Sequence, residues 1–395
     1  MSGRTGREWI RRILLPLLIL GVAGCDGPDP APREGERLQV SRALGGDDLS
    51  GYARAVEPRS FRFPADHGAH PDYRNEWWYV TGNLEDETGR RFGFQITFFR
   101  FALTPEPPSS PSAWATNQGW MAHLAVTDVA GAGHRAFERF SRGAAGLAGA
   151  ELDPFRVWLD DWRLEAVSGN GFPWRLRAGA DSVALDLRLE ALKPAVLQGE
   201  AGLSRKSGRP GNASYYYSIT RMDTEGRLIL DGKAYHVSGL SWMDREWSTS
   251  ALGEDQVGWD WFSLQLADGH DVMLYRMRLE GGGVDPVSHG LWVDPRGGYR
   301  PIPREGYRVR VLDTWIAPSG AVYPVAWRVH LVEEDRTLEV RAVRPDQEMD
   351  LTVRYWEGAV KVLEEDRPAG RGFVELTGYD RPGSEDTHDG GSGAS

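Results

Sequence analysis

Trp259-Asp260-Trp261-Phe262-Ser263-Leu264-Gln265-Leu266 runs into the turn Ala267-Asp268-Gly269 and returns as Val272-Met273-Leu274-Tyr275-Arg276. Aromatic and apolar runs on either side of an acidic-glycine turn read as a β-hairpin. The same order occurs upstream. Trp77-Trp78-Tyr79 leads to Leu84, the chain turns at Glu85-Asp86-Glu87-Thr88-Gly89, and Phe92 begins a second strand that ends near Arg100. In that strand Phe92, Phe94, Ile96 and Phe98 alternate with Gly93, Gln95 and Thr97, which gives one apolar face. Aromatic cluster, strand, acidic turn, strand and arginine therefore appear twice. The repeat predicts two copies of one β-fold.

The rest of the chain agrees. Met121–Asp128, Phe155–Val167, Trp174–Ala178, Val183–Leu189, Tyr215–Thr220 and Arg227–Leu230 read as short strands in the first half. Tyr307–Leu312, Val325–Leu331, Leu338–Ala342, Leu351–Trp356 and Gly372–Thr377 do so in the second. Spacing of this kind suits a meandering barrel or sandwich. Pro105 to Pro111 can only be a loop, and Phe140 to Ala150, rich in Gly and Ala, reads as a short helix or loop. No long stretch of helical period appears after the amino-terminal segment. The expected class is all-β, with two tandem antiparallel β-barrels. The expected division is a leader over 1–24, a tether over 25–48, barrels over 49–236 and 237–380, and a polar, glycine-rich tail over 381–395.

Composition narrows the function. The 395 residues carry a formal charge of −11, and 16 tryptophans, 48 glycines and one cysteine. Without residues 1–24, whose four arginines outweigh one glutamate by three charges, −14 remains. Such a surface excludes the basic stripe that nucleic acid requires. The sole thiol is Cys25, so the folded part has no disulfide and no cysteine nucleophile. Phosphate loops, Gly-x-Ser-x-Gly elbows and His-Glu-x-x-His helices are missing as well. His67 and His70, near Asp66 and Asp72, lack regular ligand spacing, and an irregular loop is expected there rather than a metal site.

Arginines, then Ile13-Leu14-Leu15-Pro16-Leu17-Leu18-Ile19-Leu20, then small residues up to Cys25 follow the order of a secretory signal. Val22-Ala23-Gly24-Cys25 resembles the lipobox of bacterial lipoproteins, in which the cysteine is lipidated. The expected location is the cell envelope, anchored through Cys25, with Asp26 pointing slightly toward the inner membrane. Arg11-Arg12 leaves the export route open between the general and twin-arginine systems.

Trp242-Met243-Asp244-Arg245-Glu246-Trp247 carries three charges between two tryptophans, which calls for pairing if buried. Structurally, Arg245 would bridge Asp244 or Glu246. Functionally, a carboxyl in an aromatic cavity holds its proton and can deliver it to an alkene or leaving group. Tryptophan faces would then steady the developing positive charge. Asp260, between two tryptophans, has the same character. His123 sits between Ala122 and Leu124 and faces opposite to them, either outward or into a polar lumen.

Asn75-Glu76-Trp77-Trp78-Tyr79-Val80-Thr81-Gly82-Asn83, His123, Tyr215-Tyr216-Tyr217-Ser218 and Gly239–Trp247 together resemble the AttH-like, "predicted secreted hydrolase" group, relatives of carotenoid 1,2-hydratase (CrtC). The likeness extends from Tyr52 to Tyr379. It implies two lipocalin-like barrels and a cavity for an apolar, lipid- or isoprenoid-like ligand. It also implies cofactor-free acid chemistry, for which the matching positions are Asp260, Trp242 and Asp244. The wall around the ligand would comprise Trp77, Trp78, Tyr79, His123, Tyr216, Trp259 and Trp261, with no metal and no cofactor. The resemblance leaves open whether the chain is an enzyme of hydratase or isomerase type or a binding lipoprotein serving an FtsX-type ABC transporter permease. No nucleophile supports the hydrolase label.

Overall fold

The structure, a computed structural model, describes residues 49–379 except 250, 251 and 254. The leader, Cys25, the tether and the polar tail lie outside the described residues. Those described form a 13-stranded and a 10-stranded sheet, antiparallel throughout. The chain is all-β, two lipocalin-like barrels in tandem.

Eight strands carry the argument. In the first sheet they are β1 (Asn75–Asp86), β2 (Arg91–Ala102), β3 (Ala213–Leu230) and β4 (Lys233–Ser248). In the second they are β5 (Gln256–Leu266), β6 (Asp271–Leu279), β7 (Arg354–Glu364) and β8 (Arg367–Leu376). Their spatial orders are β2-β1-β4-β3 and β6-β5-β8-β7, the same path in both halves. The opening strand of each half thus pairs with its closing strand. Register deepens the repeat. Glu76 of β1 pairs with Arg100 of β2, and Asp260 of β5 with Arg276 of β6. The arginine that ends each repeat faces the acid that begins it.

Residues 237–248, which the sequence reading gave to the second barrel, are hydrogen-bonded into the first sheet between β1 and β3. Phe155–Leu159 and Trp162–Ala166 are two strands, separated by a tight turn with Asp160 at positive φ, 53°. The expected helix or loop after Phe140 is instead the end of a strand, Gly133–Arg142, a turn, and the start of another, Ala148–Leu152. The first sheet curls until Gly133–Arg142 packs near Phe155–Leu159, and Arg139 donates across the gap to the Gly179 carbonyl at 3.1 Å.

Alternation sends one set of side chains into each barrel. Trp78, Val80, Phe92, Phe94, Ile96, Phe98 and Met243 fill the first, and Phe262, Leu264, Val374 and Leu376 the second. Burying each such side chain contributes about 1.5–3 kcal/mol. The opposite set, which in an isolated barrel would meet water, meets the other barrel. Tyr79, Tyr216 and Trp242 pack there with Trp261, Tyr275, Met277 and Phe373. A bulge in β3 between Ile219 and Met222 turns Thr220 and Arg221 toward β6. Asp271 of β6 accepts from Lys193 Nζ at 2.6 Å, Thr220 Oγ1 at 2.8 Å and Arg221 Nη2 at 2.7 Å. This clamp ties the barrels together.

Candidate functional site

Between the facing sheets lies a cavity of about 110 Å³, well above the ~10–15 Å³ that admits one water. Its walls are corresponding rows of the two repeats. One row of the first sheet is Phe99, Trp77, Glu246 and Tyr216; the next, one step deeper, begins Thr97, Tyr79 and Asp244. The matching row of the second sheet is Tyr275, Trp261, Glu375 and Glu357. Rows on one face lie about 7 Å apart along a strand. Trp77, Lys206, Leu252 and Trp259 are partly exposed and mark the mouth.

Asp244 lies deep and 4% exposed. Its Oδ1 accepts from Ser218 Oγ at 2.5 Å and Trp242 Nε1 at 2.7 Å, and its Oδ2 from the Tyr216 hydroxyl at 2.5 Å. Trp261 Nε1 in turn donates to the Tyr216 oxygen at 3.1 Å. Burial pushes the carboxyl up to about 7, against the pull of those three donors.

Glu357 is 1% exposed and otherwise poorly supported. Oε1 accepts from the Tyr79 hydroxyl at 2.5 Å, while Oε2 has no hydrogen-bond partner among the described residues. Burial, the neighbouring Glu375 and, more weakly, Asp244 hold its proton on far above the usual carboxylate range. Glu375 is pushed in the same direction, again chiefly by burial. Four carboxyl groups, those of Asp244, Glu246, Glu357 and Glu375, thus line one aromatic cavity, and Asp244 and Glu357 differ in their surroundings. Asp244 is set among donors as an acceptor; Glu357 is a carboxylic acid with a free oxygen. That division is how a site assigns a base and an acid.

Trp77, Tyr79, Tyr216, Trp259 and Trp261 line the cavity with Asp244. Trp242 stands behind Asp244 and orients it. Trp78 points the other way, into the first barrel, with the Arg245 guanidinium 3.8 Å over its ring. His123 faces the second barrel, where Nδ1 meets the Tyr355 hydroxyl at 2.8 Å. Burial holds it neutral, down to about 3, and it stands behind the cavity wall, against Phe99 and Tyr355. Asp260 is moved furthest from its expected place. Period-2 alternation turns it away from the cavity side of Trp259 and Trp261. Arg276 at 2.9 Å, Arg278 at 3.0 Å and the Tyr379 hydroxyl at 2.8 Å hold its oxygens. It is the counterpart of Glu76, a strut of the second barrel and no proton donor to the cavity.

The expected bridge from Arg245 to Asp244 or Glu246 is replaced as well. Arg245 and Arg100 both clamp Glu76, whose carboxyl they hold well below the ordinary range against the opposing effect of burial. Glu246 instead pairs with Lys206 at 2.7 Å. Lys206, Tyr275, Tyr355, Glu357 and Glu375 were absent from the expected set. Tyr275, Tyr355, Glu357 and Glu375 lie on the face of the second barrel that the first one covers, and Lys206 on a loop of the first barrel at the mouth.

The position of Asp244 makes stability depend on pH. A carboxyl raised in the folded state stabilises fully below its unfolded pKa, roughly 3.9. That contribution is lost as pH rises through about 7. Measured against Asp244→Asn, wild-type melting temperature should fall between pH 5 and pH 8. A difference that stays flat would show Asp244 to be an ordinary carboxylate.

Comparison with known proteins agrees with this architecture. Residues 54–379 match the family model described as AttH-like. A crystal structure of an AttH from Nitrosomonas europaea is similar at 36% identity and a TM-score of 0.75, over 83% of this chain and 100% of that one. Kievitone hydratase from Nectria haematococca shares the fold at 14% identity and a TM-score of 0.60, over 82% and 97% of the two chains. A search of curated proteins by sequence gives no match. The family model spans both barrels and every residue of the cavity, and the chain belongs to the AttH-like family.

Proposed function

We propose that the inter-barrel cavity binds an apolar alkene and moves protons on it without a cofactor, as a hydratase or isomerase. The observation that carries the reading is the free, buried Oε2 of Glu357, opposite a carboxyl held by three donors. In hydration, Glu357 gives its proton to one alkene carbon and the aromatic wall steadies the cation. Water adds to the other carbon and loses its second proton to Asp244. Exchange with solvent at the mouth returns Asp244 and Glu357 to their starting states, so one water is consumed. In isomerisation Asp244 takes the proton from an allylic carbon instead. The shared fold of kievitone hydratase is consistent with addition of water in such a chamber.

The test uses acyclic isoprenoid alkenes such as squalene, dispersed in D2O with purified protein. Deuterium fixed on carbon by the wild type and not by Glu357→Gln supports the reading. A wild type that fixes none across such a series leaves a carrier. The apolar wall supports that second reading, a lipid-binding accessory of an FtsX-type ABC transporter permease, because it would hold such a ligand without chemistry. Both readings place the protein on a membrane through lipidated Cys25. Cys25→Ser should leave the membrane fraction in cell fractionation; continued sedimentation with membranes would remove the anchor.

A further inference from the structure

We infer that the mouth end of the first barrel rests on a lipid bilayer and exchanges the cavity's apolar ligand directly with it. Three features meet at that end. The first is the cavity mouth, at the start of β1 and the finish of β4, where Asn75 pairs with Ser248.

The second is the start of the described chain. Gly51 lies against Pro105, the Tyr52 hydroxyl donates to the Ala102 carbonyl at 2.8 Å, and the Ala53 carbonyl accepts from Thr249 Oγ1 at 2.6 Å. The described chain therefore begins beside the mouth, and the 24 peptide steps from residue 49 back to Cys25 span at most roughly 80 Å, enough to allow many orientations and to impose none.

The third feature selects one of them. Leu103 is 69% exposed and Trp114 58% exposed, on a loop pinned to this end by Leu103 N to Asn117 O at 2.7 Å and Ala145 N to Ala113 O at 3.0 Å. Ile316 and Val322, cross-strand partners in the second sheet, are also exposed, so exposure alone does not choose. What singles out this loop is its tryptophan, which favours the interface between headgroups and hydrocarbon.

The outward face of β2 links patch to cavity. Thr97 and Phe99 line the cavity, Phe101 stacks on Phe99 at 6.3 Å and 7°, and Leu103 emerges. An apolar molecule leaving the cavity along this strand passes from one hydrocarbon surface to the next without crossing open water. The acidic surface would repel anionic headgroups, so contact depends on these side chains rather than on charge, and salt should change it little. Ligand exchange rests on the cavity being the ligand site; docking does not.

The experiment uses the full-length protein reconstituted in phosphatidylethanolamine and phosphatidylglycerol vesicles. With Cys25 lipidated, as proposed above, a cysteine placed by Ala113→Cys beside the intact Trp114 is the one reactive thiol and takes an environment-sensitive fluorophore. Glu87→Cys places the same label in the exposed turn at the opposite end of β1 and β2. Bromine-labelled lipid should quench the Ala113→Cys label several-fold more than the Glu87→Cys label, in wild-type and Glu357→Gln backgrounds alike. Equal quenching, or none at either position, overturns the docking. Quenching retained when no alkene turns over would sink the chemistry and leave the docked orientation standing.

Discussion

Glu357→Gln is expected to lower turnover by about 10²–10⁴-fold, the usual contribution of a positioned acid or base, with little change in substrate affinity. The amide keeps the volume of the acid and still accepts from Tyr79, so the wall is unchanged. Only the transferable proton on Oε2 is removed. Asp244→Asn should cost a similar factor by removing the base. Its new amide group meets the Tyr216 hydroxyl, which can rotate to accept, so folding survives. The two losses should combine to less than their product if both serve one step. The measurement is kcat and KM for both variants and the double mutant on any alkene that the wild type converts. Activity kept in Glu357→Gln would exclude it as the acid, and a rise in KM alone would make it a binding group.

The largest expected loss of stability lies away from the cavity. Asp271→Ala should destabilise the protein by about 3–5 kcal/mol, as when one partner of a buried ion pair is removed. Asp271 is fully buried and meets two cations, Lys193 and Arg221. Lys193 is itself almost inaccessible, and burial already pulls its ammonium below its ordinary pKa despite Asp271. Without the carboxylate, that charge stays enclosed between barrels. Urea unfolding monitored by tryptophan fluorescence would measure the loss. A change below ~1 kcal/mol would show that the clamp contributes no more than an exposed ion pair.

Much of the fold was legible because period-2 alternation and the repeated hairpin are local signals. Phe92 to Phe98 could hardly be anything but a strand with one buried face. Arg100 and Arg276 were visible as the arginine that ends each copy, but the correspondence of Glu76 with Asp260 across from them needed the register. The site was only partly legible. Parity alone says that Asp260 points opposite to Trp259 and Trp261, and Trp78 opposite to Trp77 and Tyr79. It does not say which of the two faces is the barrel interior. Asp244 came from its company of aromatics and charges. Glu357 and Glu375, in Trp356-Glu357-Gly358 and Val374-Glu375-Leu376, give the pattern of a strand with a wetted side. Nothing local reveals that a second barrel covers that side and turns solvated carboxylates into protonated acids.

The pairing of β1 with β4 has a consequence for how the protein is made. Asn75 finds its partner at Ser248, so the first barrel cannot close until its last strand has left the ribosome. Bringing such distant segments together carries a loop-closure cost, and folds dominated by non-local pairing form slowly. During synthesis the leading hairpin waits with one edge unsatisfied, a state that aggregation can capture. The topology that builds the chamber thereby gives the nascent chain a long interval in which its first strands exist without their final partner.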